Sequence, residues 1–200
     1  EIGCNDGSFI QRLRNKGIHN CTGVEPSKDA YSLANSKGIK VHNEFFSINN
    51  PNLPMEENYY DIVICRQVLE HISDLEEFMI TVGHCLKEKG VFVIEIPDSS
   101  LNYEYRDYSL WEEHVNYFTL NSLNNLLKKY DFEIIHHETT LFSGRALTVF
   151  AEKGNNNNGF EYNSSDVNEW LSYGENWETF KKQMGELISS KQKSVVYGCG

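Results

Sequence analysis

Three side chains with acid–base capacity, His71, Glu113 and His114, and one glycine-bearing turn, Glu1-Ile2-Gly3-Cys4-Asn5-Asp6-Gly7, are where this chain could do chemistry. A neutral imidazole can take a proton from an acceptor, and a neighbouring carboxylate can orient it. In the turn, Gly3 permits tight backbone geometry and Gly7 permits close approach to a ligand. The carboxylates of Glu1 and Asp6 would repel a phosphate there but attract the ammonium of a methionine moiety. A dinucleotide fingerprint begun at Gly3 would need glycines at positions 5 and 8, where Asn5 and Ser8 stand. Glu25 follows Gly3 by 22 positions, near the ~20-residue spacing of an acid that accepts both ribose hydroxyls. The expected ligand contains adenosine and little or no phosphate.

The elements that must position these groups alternate. Phe9, Ile10 and Leu13 give a helical spacing over Ser8 to Lys16, closed by Gly17. Cys21 to Glu25 reads as a short buried strand, and Ser27 is placed to cap a helix that ends at Gly38 before a strand at Ile39 to Val41. The run Tyr60 to Cys65 is typical of a central parallel strand, Asp74 to Lys87 is helical, and Val91 to Ile96 is again a buried strand. A helix at Asn121 to Tyr130 and strands at Phe132 to His136 and Ala146 to Glu152 complete an α/β fold. The order predicts a doubly wound open sheet, with the ligand at the carboxyl ends of the strands where strand order reverses. Asn155 to Asn158 reads as a linker. Val167, Trp170, Leu171, Trp177, Phe180, Met184, Leu187 and Ile188 mark a long amphipathic helix after it.

Composition narrows the partners. A formal net charge of −11 argues against a nucleic-acid partner. The five cysteines, odd in number and without C-x-x-C spacing, suggest neither disulfides nor a zinc site, and reduced thiols in the cytosol are expected. The adjacent His136 and His137 point to opposite faces of a strand and cannot chelate one ion in regular geometry, so no metal is expected. No apolar run is long enough for a membrane span and no signal peptide opens the chain. A small-molecule substrate fits best.

E-I-G-C-N-D-G-S-F followed by G-V-E-P-S resembles the first two motifs of class I S-adenosylmethionine-dependent methyltransferases, and Y-D-I-V-I-C-R-Q-V-L-E-H-I-S-D resembles their fourth-strand segment. The resemblance implies S-adenosyl-L-methionine as cofactor. Gly3, Asn5 and Gly7 would line its methionine end, Glu25 would hold its ribose, and Arg66 and Gln67 would close over it. The adenine would be met after Val41, at Glu44 or Phe45.

The segment Trp111-Glu112-Glu113-His114-Val115-Asn116-Tyr117-Phe118 is similar to the E-H-x-x-Y-F signature of the sugar C-methyltransferases of deoxysugar biosynthesis, which act on nucleotide-linked keto-sugars. Transfer to carbon requires a base to take the proton beside a ketone and a group to stabilise the enolate. That resemblance makes His114 the base, Glu113 its orienter or a substrate ligand, and His71 the histidine after the fourth strand. His71 could equally cap the helix that begins near Ser73. The family places Tyr then His before the Glu-His pair, whereas Trp111 and Glu112 stand here. An indole has no acid–base function, so the tyrosine's role is lost or passes to a residue such as Tyr117. Arg145, in Ser143-Gly144-Arg145, is an expected diphosphate or substrate anchor.

The expected organisation is a methyltransferase domain over 1–154 with its first strand truncated, a linker and helix over 155–193, and the opening of a second nucleotide-binding-like domain at 194–200, within a longer protein. The rivals to sugar C-methylation are O-methylation of a small or glycan-type acceptor, an NAD-linked dehydrogenase or epimerase, and an inactive cofactor-binding module.

Overall fold

The computed structural model describes residues 1–53, 55–108, 110–141, 144–154, 163–191 and 193. Its elements are α1 (Ser8–Asn15), β1 (Gly23–Val24), α2 (Lys28–Ser36), β2 (Val41–His42), β3 (Tyr60–Arg66), a 3-10 turn (Leu69–His71), α3 (Leu75–Cys85), β4 (Leu86–Pro97), α4 (Ser100–Tyr105), α5 (Leu120–Lys129), β5 (Phe132–Leu141), β6 (Arg145–Lys153) and α6 (Val167–Ser189). The expected linker at Asn155 to Asn158, Ser143 and the second-domain opening at 194–200 lie outside the described residues.

One residue joins the two halves of the sheet. Ile2 pairs in parallel with Val24 on one side and Cys65 on the other. Its amide donates to the Ile64 carbonyl at 2.8 Å, and Val24 N donates to the Glu1 carbonyl at 2.9 Å. With this bridge the order runs β2, β1, Ile2, β3, β4, β6, β5. The chain therefore winds outward from Ile2 to β2, returns to β3, and continues the other way. The reversal falls between Ile2 and β3, and the segments leaving it are Gly3–Gly7 and Arg66–Gln67. β6 is antiparallel to both β4 and β5, so the sheet ends in a hairpin.

Period-2 alternation explains which face is buried. Val63 and Cys65 of β3 align with Phe92 and Ile94 of β4. These side chains, with Ile96 and Val149, form a core with Phe78, Met79 and Val82 of α3 and Leu123 and Leu127 of α5. Full burial of each large aliphatic side chain contributes roughly 1.5–3 kcal/mol. On the opposite face of β3, Ile62 remains 56% exposed. A smaller cluster of Cys4, Ile10 and Ile39 seats α1 beside the first strands.

Local signals set the helix starts. Asp74 caps α3 by accepting from Glu77 N at 2.9 Å, and Thr119 with Ser122 forms a capping box on α5. His71 therefore does not cap α3. Ser27 occupies the N-cap of α2, but its side chain makes no capping bond; its backbone N–H donates instead to Glu25 at 2.8 Å. The strand expected at Ile39 begins two residues later, because Ile39 is drawn into the α1 cluster. β5 runs on to Leu141 because the hairpin pairs it with β6 along its length. α4 was not anticipated.

The long amphipathic helix is present as α6. Trp170 meets Tyr103 edge-on, and Tyr173, Trp177 and Phe180 surround Tyr108 with ring centroids 4.7–5.0 Å away. Farther along, Leu187 and Ile188 are about half exposed.

Candidate active site

The turn after Ile2 is shaped by packing as well as by ligand access. Gly3 and Gly7 have φ of +64° and +73°, conformations that side chains disfavour. A Cβ on Gly3 would lie 2.5 Å from Val68 Cγ2, and one on Gly7 would lie 2.3 Å from Ile39 Cδ1. Both glycines are thus required by neighbouring protein atoms: Gly3 by the segment leaving β3, Gly7 by the α1 cluster. Asn5, at φ +49°, completes the turn, and its N–H donates to Glu25 Oε2 at 2.9 Å. The buried Glu25 carboxylate also accepts Ser27 N through Oε1. These two bonds fix the acid at the exit of β1 and leave it lone pairs for hydroxyl donors.

The two acids expected to attract an ammonium behave differently. Asp6 is exposed and engaged by Lys37 at 2.7 Å and by Ser8. The Lys37 ammonium, then the Ser8 contacts, hold its carboxyl down at about 2. Its charge is neutralised locally, which removes it as an ammonium partner. Glu1 is buried, with its side chain 3% exposed and Oε1 bonded to Arg66, while Oε2 has no partner. Burial raises its pKa above the usual carboxylate range despite Arg66. Arg66 lies over the Phe9 ring, 3.9 Å from its centroid. An unpaired buried carboxylate oxygen beside a left-handed turn, with Glu25 fixed next to it, fits a cofactor that carries an ammonium and ribose hydroxyls. Glu44 is hydrogen-bonded to Asn50, and Phe45 is 75% exposed, free to meet an adenine.

Gln67 leads from this turn into a cleft of about 490 Å³ lined by Glu70, His71, Glu113, His114, Tyr117 and Arg145. Gln67 has φ +53°, its N–H donates to the Glu95 carbonyl at 2.7 Å, and its buried side-chain nitrogen has no partner. The cleft is closed by two segments that hold each other through backbone groups. Val115 N and Asn116 N both donate to the Glu70 carbonyl, at 2.9 and 3.0 Å, and Asn116 Nδ2 donates to the Ile72 carbonyl at 2.7 Å. His71 Nδ1 lies 2.9 Å from the Glu113 carbonyl oxygen, which must accept a proton from the ring. The His71 and His114 rings meet edge-on at 4.9 Å. Burial first, then His71, hold the pKa of His114 below the ordinary imidazole value, so it is neutral at pH 7.

Three expected roles change with this geometry. Glu113 orients His71 through its backbone oxygen, and its exposed side chain makes no hydrogen bond to His114. The Tyr117 hydroxyl accepts from Trp111 N at 2.9 Å and donates to the Trp111 carbonyl at 3.2 Å, so it clasps its own loop and is not free as an acid. Arg145 is bound to Asp98 at 2.7 Å, to Glu104 at 3.0 Å and to Ser100; a diphosphate would have to compete with two carboxylates. One residue was missed altogether. Glu70 is 2% exposed, yet neither of its carboxylate oxygens has a hydrogen-bond partner, and burial raises its pKa. Its adjacency to His71 was the available signal.

Known proteins place this arrangement in context. Residues 1–137 match the family described as methyltransferase domain. The chain is 26% identical over 155 residues to the C-methyltransferase NovU of Streptomyces niveus, covering 76% of this chain and 36% of that protein. It is 28% identical over 114 residues to a ubiquinone biosynthesis O-methyltransferase of Rickettsia bellii, covering 55% and 44%. The chain thus spans less than half the length of these relatives. An S-adenosylmethionine-dependent methyltransferase from Methanosarcina mazei superposes with a TM-score of 0.63 at 17% identity, covering 76% of this chain and 90% of that one. A possible histamine N-methyltransferase from Thermotoga maritima superposes at 0.58 and 20%, covering 76% and 80%. These likenesses confirm the Rossmann-like α/β fold, and family and fold together imply S-adenosyl-L-methionine as the cofactor. With its match over more than two thirds of its length, this chain belongs to the methyltransferase-domain family.

Proposed function

We propose that this protein methylates carbon in a small molecule, a nucleotide-linked keto-sugar, with His114 as the base. The observation that carries the reading is a neutral, cleft-lining imidazole: His114 packs on His71 in a cleft that Gln67 also lines, and Val68, next to Gln67, abuts Gly3 of the cofactor turn. Support also comes from NovU, the C-methyltransferase whose similarity spans 76% of this chain. S-adenosylmethionine supplies an electrophilic methyl group when bound. The chain's residues do the rest: Glu1 and Glu25 hold the cofactor's ammonium and ribose, and His71 supports the ring of His114. His114 takes the proton beside the ketone.

O-methylation is the second reading, favoured by the ubiquinone biosynthesis O-methyltransferase relative and by Trp111 in the place of an acidic hydroxyl. It needs removal of a single proton and no enolate. Incubation of a nucleotide keto-sugar with the enzyme in deuterated water separates the two. C-transfer predicts deuterium at the carbon beside the ketone, lost in His114→Ala while cofactor affinity is kept. Exchange that survives His114→Ala would overturn the base assignment. Calorimetry with S-adenosylmethionine and NAD tests the class itself, since heat with NAD alone would indicate a dehydrogenase or epimerase.

A further inference from the structure

We infer that Glu70, His71 and His114 form a binding site for a divalent transition-metal cation. The three lie on two segments more than forty residues apart, and the fold assembles them. One ligand atom from each side chain lies within 4.8 Å of the others. A tetrahedral ion with bonds of about 2.1 Å needs ligand atoms about 3.4 Å apart, so binding requires Glu70 and His114 to close on the fixed His71 ring.

Three independent features suit each residue to this use. Glu70 is 2% exposed with both carboxylate oxygens unpaired. A buried carboxylate in that condition is costly unless something positive meets it. No lysine or arginine forms an ion pair with it among the described residues. His71 Nδ1 is committed to the Glu113 carbonyl at 2.9 Å, so the ring proton sits on Nδ1 and the Nε2 lone pair is free. Metal-binding histidines are oriented in this way, by donating the other ring N–H to a carbonyl. His114 faces the His71 ring at 4.9 Å across the same cleft, and its own ring makes no hydrogen bond among the described residues.

Two imidazoles and one carboxylate favour borderline first-row ions such as Zn²⁺ or Co²⁺ over Mg²⁺, which prefers oxygen ligands and retained waters. Only three protein ligands are present, so positions facing the cleft stay open for an acceptor oxygen. The site goes beyond the proposed function and alters it at one point. With an ion bound, His114 is a ligand and no longer the base: the ion acidifies the coordinated acceptor, whose proton passes to solvent water, and holds the resulting enolate or phenolate oxygen. Such an ion serves acceptors with an oxygen next to the reacting atom.

The test uses chelator-treated chain titrated with CoCl₂, followed by visible d–d absorption, with S-adenosylmethionine titrated by calorimetry into the same preparations. One Co²⁺ per chain is expected. Its affinity should fall by about tenfold or more in both His71→Ala and Glu70→Gln, stay unchanged in the exposed-strand variant His136→Ala, and withstand equimolar Mg²⁺. His71→Ala, at an exposed position, keeps the test decisive if Glu70→Gln fails to fold. Absence of a stoichiometric spectrum, or a spectrum that survives His71→Ala, overturns the site. Cobalt binding that depends on these residues without cofactor heat would support the site and defeat the methyltransferase reading. Cofactor heat without cobalt binding does the reverse.

Discussion

The two sides of the strand-order reversal are built on opposite principles. On the donor side, Gly3, Asn5, Gly7 and Glu25 are held by backbone geometry, close packing and the two bonds to the Glu25 carboxylate, with one buried atom, Glu1 Oε2, left unmet. On the acceptor side, two loops are tied together by main-chain groups, while the side chains facing the cleft are left unmet: Gln67 Nε2 and both oxygens of Glu70. A turn whose residue types are dictated by its own conformation is rigid and specific before any ligand arrives. A cleft with orphaned buried groups is set up for a partner that supplies the missing bonds.

The difference can be broken most sharply at His114. His114→Ala should lower kcat by roughly 10²–10⁴-fold with S-adenosylmethionine affinity unchanged, whether the imidazole serves as base or ligand. Parallel loss of cofactor affinity would show that the two sides are not separate. On the donor side the expected loss is of folding as well as binding. Gly3→Ala combines a left-handed alanine with a clash on Val68 and should cost roughly 3 kcal/mol, read as a lower denaturation midpoint. Adding Val68→Ala should recover the steric part alone; no recovery would place the whole effect in backbone strain.

Asn116→Ala removes the bond to the Ile72 carbonyl and should cost about 1–2 kcal/mol, slowing turnover more than it weakens cofactor binding. The smallest effect has the opposite sign. Burial raises the Glu70 pKa, so its folded-state stability is greatest below the unfolded value near 4.5 and is lost as pH rises through the raised one. Glu70→Gln should therefore stabilise the metal-free chain at pH 7 by about 1 kcal/mol. The wild type should gain stability on mild acidification, an increment absent from the variant. Thermal melts across this pH range check both statements.

This contrast also explains what the sequence could convey. Short-range rules apply to the donor side: the Gly3 turn, Glu25 at its spacing, and the order of strands and helices were all legible, because each depends on neighbouring residues or on periodicity. Even there, Gly7 answers to a second constraint with no local signal, since a Cβ on it would meet Ile39, far along the chain. Asp6 looked like a ligand because Lys37, which neutralises it, lies two helices and 31 positions away. On the acceptor side His71 and His114 were picked out, but their mutual contact joins segments 43 positions apart. The Tyr117 clasp, the ion pairs of Arg145 and the unpaired state of Glu70 are tertiary facts with no local signature. α4 was missed because six residues of helix leave almost no periodic trace.

Gln67 concentrates the contrast at one position. It is a non-glycine residue in left-handed geometry with a buried amide nitrogen that nothing accepts. Glycine would relax the backbone there, and leucine would remove the unmet donor, so either change would improve the molecule as an inert solid. The hinge between the donor turn and the acceptor cleft is therefore the least optimised piece of the interior and the most receptive one. Variants selected only for heat resistance should accumulate there first, and they should arrive with dulled discrimination among small molecules.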